Sequence, residues 1–183
     1  LTMENLQAKY VSAKEILTHC STVTNNEDMH NYIIGKGEIG LPQRLNEINK
    51  VLNGTPFTVS YRVMNELTIY LAVLLDQAKE KGEEVTLDSF KGYVETAIDK
   101  ILLMKILPRV EGDDEMFHIS DKERNANELS DQAEDGHEFT KLDWLRQIAP
   151  QHNEDNQNEY MAVDKLAEMI ERLNRQSFTR FWP

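Results

Sequence analysis

The sequence predicts an all-α protein. Apolar residues recur at steps of three and four along most of the chain, the spacing of one face of a helix. Helix-stopping residues fall where that pattern breaks, as in Asn53-Gly54-Thr55-Pro56. Strand-like runs are confined to Tyr32-Ile33-Ile34 and Phe57-Thr58-Val59.

In chain order, Met3, Leu6, Tyr10, Ala13 and Leu17 draw a first apolar stripe. Residues 21–40 interrupt it with a polar stretch and three glycines. Leu41, Leu45, Ile48 and Leu52 restart the pattern, with Pro42 placed for a first helical turn. From Ser60 to Lys81 runs the most hydrophobic helix, with Val63, Leu67, Tyr70, Leu71 and Leu74 as its main stripe. Ile69, Val73 and Leu75 widen that stripe, so this helix is expected to be central and packed on more than one side. Thr86 is placed to cap a further helix in which Leu87, Phe90, Val94, Ile98, Ile101 and Leu102 share a face. Pro108 forbids its ordinary continuation. Glu111 to about Phe139 is acidic and aperiodic, and reads as a mobile loop or insertion. Lys141 to Ile148 reads as a short helix, Gln151 to Glu159 as a polar linker, and Val163, Leu166, Ile170 and Leu173 as the stripe of a last helix. The chain closes on Phe178, Phe181 and Trp182, aromatics expected to dock on a groove rather than stand in water. The expected divisions are 1–40, 41–112, 113–159 and 160–183: an N-terminal helix and connector, a helical bundle, an acidic insertion, and a C-terminal helix with an aromatic tail that docks back.

Composition bounds the function. The 183 residues are 40% hydrophobic and 28% charged, enough apolar material for a core, and no run approaches the ~18 apolar residues of a membrane helix. The single cysteine, Cys20, cannot form an internal disulfide, which suits a reducing cytoplasm. Net charge is −12 and unevenly placed: residues 1–110 carry 14 acidic against 12 basic side chains, residues 111–183 carry 18 against 8. Duplex nucleic acid is bound through a basic face, so neither direct nucleic-acid binding nor a membrane is expected.

Most chemical motifs fail on their context. Gly35-Lys36-Gly37-Glu38-Ile39-Gly40 has the letters of a dinucleotide fingerprint but no following parallel strands, and reads as a turn. No Gly-x-x-x-x-Gly-Lys-Ser/Thr occurs, nor any Gly-x-Ser-x-Gly elbow. The histidines His19, His30, His118, His137 and His152 are scattered without the spacing of a helical metal pair, so no metal is expected. A partial calcium-loop match at Asp121 has Ala126 where glycine is needed and Gln132 where a bidentate Glu belongs.

Two segments carry a specific pattern. Thr58-Val59-Ser60-Tyr61-Arg62-Val63-Met64-Asn65-Glu66 opens the central helix, and Ala97-Ile98-Asp99 followed by Lys105-Ile106-Leu107-Pro108-Arg109-Val110-Glu111-Gly112 closes the next. Together they resemble the C-terminal helical lid of McrB-type AAA+ NTPases, the motor subunits of modification-dependent restriction systems. Leu166 to Trp182 also resembles the C-termini of some of that group. The resemblance covers residues 41–112 well and 160–183 weakly.

The resemblance implies a nucleotide-sensing lid of a bacterial, cytoplasmic ring-forming motor. In such lids an arginine at the start of a helix reaches the γ-phosphate, and Arg62 stands at the matching position. A guanidinium suits that task because it is always charged and grips phosphate oxygens in pairs. Asp99, Lys105 and Arg109 match family positions without an assignable chemistry. The phosphate loop, the acidic metal-binding segment and the arginine given to a neighbouring subunit are not visible here. This chain is therefore expected to be no catalyst alone and to hold no cofactor itself; GTP or ATP with Mg belongs to the expected parent. Its partners would be the rest of the AAA+ subunit, neighbouring subunits of the ring, and a McrC-like nuclease. The Leu-Thr-Met opening fits either a fragment or a stand-alone relative that lost the motor. The alternative is a small acidic all-α interaction module with no nucleotide role, in which Glu111–Glu138 meets a basic partner and Phe178, Phe181 and Trp182 anchor a groove. As a sensor, Arg62 should be partly exposed at a concave edge with room beside it for a phosphate; as a structural residue, it should be tied to Glu66 or a backbone carbonyl.

Overall fold

A computed structural model describes residues 20–36, 40–152 and 160–183. The stripe from Met3 to Leu17, residues 37–39 of the glycine-rich run and most of the linker before Tyr160 lie outside the described residues. The protein is all-α, with one two-stranded antiparallel ladder. Its helices are α1 (Ser21–Thr24), α2 (Glu27–Ile34), α3 (Leu41–Val51), α4 (Tyr61–Glu80), α5 (Leu87–Ile101), α6 (Asp114–Phe117), α7 (Asp121–Ala126), α8 (Lys141–Ile148) and α9 (Met161–Gln176). The strands are β1 (Glu111–Asp113) and β2 (Phe178–Arg180). Two compact units divide the chain: Leu1–Leu45 with Ser60–Ala97, and Asn46–Val59 with Ile98–Pro183. Helices α3 and α5 each run from one unit into the other.

In the first unit, α2 starts on Asn26, whose Oδ1 accepts from the backbone N–H groups of Asp28 and Met29 at 3.1 Å each. It ends on Gly35 in the left-handed conformation. Tyr32-Ile33-Ile34, one of the two strand-like runs, is thus the last turn of a capped helix. A side chain at Gly40 would meet the Tyr32 carbonyl oxygen at 2.7 Å, so this glycine marks a close approach of backbone rather than a phosphate cradle. Helix α4 buries Val63, Leu67, Leu71, Leu75 and Ala78, a stripe one residue-width narrower than expected. Ile69 and Val73 are each 47% exposed, so among the described residues nothing covers that face of α4. Phe90, Val94 and Ala97 of α5 are buried, and the Phe90 ring meets Tyr32 edge-on at 5.9 Å. Thr86 caps α5 as expected, its Oγ1 accepting from the Ser89 N–H at 3.2 Å.

The second unit begins where α3 buries Ile48 and Val51 and stops at the Asn53-Gly54 turn. The other strand-like run, Phe57-Thr58-Val59, is a loop, whose Val59 N–H and C=O both bond the Asn49 side chain, at 2.6 and 3.3 Å. Beyond Ile101 the chain widens into a π-helical turn, Leu102–Ile106, then tightens into a 3-10 turn, Leu107–Arg109. Pro108 has no N–H to continue an α-helix, and the altered winding keeps Leu102, Ile106, Leu107 and Val110 buried.

The acidic segment is folded. Strand β1, helices α6 and α7, and an antiparallel bridge between Gln132 and Glu138 lie within it, and Phe117, Ile119 and Phe139 join the core. These elements are only one or two turns long, too short to show a period in the sequence. Strand β1 pairs with β2 in the register Glu111↔Arg180, Gly112↔Thr179, Asp113↔Phe178. Gly112, at φ 158°, leaves room there for the Met116 side chain, which a Cβ would meet at 2.8 Å.

Candidate functional site

Arg62 lies in the first turn of α4. Its side chain is 87% exposed, and its Nε stands 3.5 Å from Glu66 Oε1 one turn on. The i,i+4 pairing is the arrangement anticipated for a structural arginine; a sensor is expected partly exposed at a concave edge, and Arg62 lines none of the cavities described below. Such an exposed pair contributes only ~0.3–0.5 kcal/mol, so it leaves the guanidinium free to exchange partners.

The second site is the C-terminal tail. Thr179 is fully buried, and the β1–β2 ladder fixes the strand around it. The Arg172 guanidinium donates to the carbonyls of Arg180 at 2.6 Å and Trp182 at 3.2 Å, holding the turn that follows. Phe181 and Trp182 meet edge-on at 4.8 Å, and the Lys165 ammonium lies 5.1 Å from the Phe181 ring centre. Phe178 and Trp182 nevertheless stay 45% and 63% exposed. The tail docks, but through Thr179 and backbone hydrogen bonds rather than by sinking all three aromatics into a groove. In a strand side chains alternate, so burying Thr179 turns Phe178 and Arg180 outward.

Asp99, one of the residues without an assigned chemistry, is fully buried. Its Oδ1 accepts from the backbone N–H of Ala162 at 2.7 Å, and Lys100 Nζ lies 3.2 Å from Oδ2. It therefore serves as a remote cap for α9, whose own N-cap position, Tyr160, offers no side-chain acceptor. Lys105 and Arg109 are exposed.

Two buried cations organise the acidic segment, and neither stands out in the sequence. Arg124 donates to the carbonyls of Ile119, Ser130 and Phe139, and its Nε lies 3.4 Å from Asp131. Lys141 donates to Glu123 at 2.7 Å and to the Asn53 carbonyl at 3.0 Å, beyond the end of α3. Asp143 closes a capping box with Thr140 at the start of α8 and faces His137 Nε2 at 3.0 Å. Asp121, the first residue of the partial calcium-loop match, instead begins α7. Among the described residues no group of three or more His, Cys, Asp or Glu is placed to hold a metal, and no helix is long and apolar enough to cross a membrane.

Among the described residues, three cavities of note accompany these features. One of about 620 Å³ in the first unit is lined by Asp28, Asn31, Tyr32, Lys36, Arg44 and Glu95 among others. Arg44 grips Glu95 there at 2.9 Å; burial pushes the Glu95 carboxyl above its ordinary value, and Arg44 opposes that shift. Two others, of about 810 and 350 Å³, lie in the second unit, the larger beside His137 and Asp143 and the smaller beside Trp144. Arg62 lines none of the three.

No curated protein and no solved structure matches this chain. The sequence model of one protein family does match, from residue 13 to residue 178, which takes in both units. The chain belongs to that family, described as a domain of unknown function (DUF8727).

Proposed function

We propose that this chain is the C-terminal, nucleotide-sensing lid region of a McrB-like AAA+ NTPase, with Arg62 as the residue that meets the γ-phosphate. The supporting observation is the pairing of β1 with β2, together with the Asp99–Ala162 hydrogen bond. The stretches that resemble McrB-type lids, residues 41–112 and, weakly, 160–183, lie 48 positions apart in the chain, and these contacts join Glu111–Asp113 to Phe178–Arg180 and Asp99 to Ala162. Arg62 supports the reading through its exposure: a side chain that reaches for a phosphate held by another subdomain must project from its own. Loss of the γ-phosphate would then release it and let the lid swing. Catalysis, with GTP or ATP and Mg, belongs to the larger subdomain of the parent, in a bacterial cytoplasm beside a McrC-like nuclease.

The test has two steps. The reading frame upstream of Leu1 should encode Gly-x-x-x-x-Gly-Lys-Ser/Thr on a βα unit. In the protein so defined, Arg62→Ala should lower NTPase turnover at least ~10-fold, as loss of an arginine contact to the transferred phosphoryl group does, with the melting temperature unchanged. A frame without that loop, or turnover indifferent to Arg62→Ala, overturns the lid reading.

The exposure of Phe178 and Trp182 favours a second reading, a protein-interaction module without a nucleotide role. Under it, Trp182→Ala weakens partner binding and Arg62→Ala changes nothing.

A further inference from the structure

The segment Ser177–Pro183 is docked on the second unit, yet several features of the docked state work against it. The chain turns into the segment at Ser177, which ends α9 with a φ of 52°. That left-handed conformation is costly for any residue that carries a Cβ. Two residues on, Thr179 is fully buried, and its hydroxyl has no hydrogen-bond partner. A hydroxyl taken out of water without a partner opposes the docking that buried it. Phe178 and Trp182 stay exposed, so docking removes little of their apolar surface from water.

Few contacts stand against these costs. The β1–β2 ladder is three residues long. Arg172 clasps the carbonyls of Arg180 and Trp182 at 2.6 and 3.2 Å, at a site where water competes for them. The Lys165 ammonium lies 5.1 Å from the centre of the half-buried Phe181 ring. The Arg180 guanidinium bonds the Pro183 carbonyl at 2.9 Å, a contact internal to the segment that does not fasten it to the fold. Helix α9, immediately before Ser177, is held quite differently. It buries Leu166, Met169, Ile170 and Leu173, and Asp99 caps its other end. The boundary between firm and weak attachment therefore falls at Ser177.

We propose that Ser177–Pro183 is a releasable strap, which swings out about Ser177 while α9 and the rest of the second unit stay folded. Release returns the Thr179 hydroxyl to water and bares the edge of β1 that β2 had paired. It also carries Phe178, Phe181 and Trp182 together on a free arm, where their three rings can enter a partner. The strap is a property of the chain and rests on neither reading of its function. In the interaction reading it is the step that precedes capture.

The test is native-state amide exchange of the whole chain, read by mass spectrometry on peptides from β1, from the tail and from the middle of α9. Corrected for their unfolded rates, the ladder amides should exchange at least ~100-fold faster than those of Leu166 to Ile170, because local opening exposes the first and not the second. Urea below the unfolding transition should speed exchange in α9 and leave the ladder within about 2-fold, since release exposes little surface. Thr179→Val keeps the shape of the side chain and removes the hydroxyl, and should slow ladder exchange about 5-fold. Arg172→Gln, which opens the clasp, should speed it about 3-fold. Ladder and α9 amides exchanging at one rate with one urea dependence would overturn the strap, since the tail would then leave only when the whole unit unfolds. Ladder exchange in Thr179→Val as fast as in wild type, or faster, overturns it as well, because the buried hydroxyl would then not favour release.

Discussion

Asp99 and Ala162 are sixty-three positions apart, yet the carboxylate of one accepts the backbone N–H of the other at 2.7 Å. The bond is buried, and it ties the end of α5 to the start of α9. An aspartate at the N-terminus of its own helix is a common cap; here the cap comes from a different helix altogether. It satisfies an orphan donor of α9 and places a negative charge at the positive end of its dipole.

Asp99→Ala should therefore destabilise the protein by ~2–4 kcal/mol, leaving a buried N–H without an acceptor and Lys100 without its carboxylate. Asp99→Asn, which keeps an acceptor oxygen, should cost about half as much. Urea unfolding followed by helical circular dichroism measures both; an Asp99→Asn variant as stable as wild type would remove the special role of the charge.

Arg124 holds the acidic segment through three backbone carbonyls. Replacing it with Met keeps its apolar stem but strands those acceptors, at an expected cost of ~3 kcal/mol. Arg124→Lys should rescue less than half of this, because one ammonium cannot reach carbonyls spread around a planar fork. Limited proteolysis should show new cleavage between Asn127 and Glu138 in both variants; cleavage elsewhere first would contradict the assignment.

Glu95 makes the first unit sensitive to pH in an unusual sense. Its folded carboxyl is raised by burial, with Arg44 only partly offsetting this. The folded state thus holds this proton more tightly than the unfolded chain does. The stability it adds is full below the ordinary carboxylate value and is lost as pH rises through the raised one. Glu95→Gln should remove this slope, so that thermal midpoints of variant and wild type diverge as pH rises above the ordinary carboxylate value. Parallel midpoint curves would show that Arg44 compensates the burial fully.

Ile69 and Val73 share the exposed face of α4, while Leu71 between them is fully buried. Ile69→Lys should change stability by less than ~0.5 kcal/mol, whereas Leu71→Lys should cost more than ~4 kcal/mol or prevent folding. Similar losses at both positions would place Ile69 inside an interface.

The helices were legible because each one long enough to repeat its period buries one face. Leu45, Ile48, Phe90, Val94, Leu166 and Leu173 all stand where the stripes put them. The last turn of α2 was not read as helix because Tyr32-Ile33-Ile34 is rich in β-formers and α2 is only eight residues long. Its Asn26 cap and Gly35 stop were the better signals. In the candidate sites, Arg62 was found through resemblance. Arg124 and Lys141 were not found, since a buried cation and a surface one look alike in a sequence.

By itself, then, the sequence determined the fold class, the stripes of the long helices, and the charge imbalance between the two halves. Those properties are local or additive: a helical period needs only neighbours a turn away, and net charge needs no geometry at all. Tertiary structure decided that Asp99 caps a distant helix and that Phe178 and Trp182 face outward. It also decided that Arg124 and Lys141 are buried among carbonyls. Each of these depends on contacts between residues far apart in the chain, which only the packing of whole elements brings together.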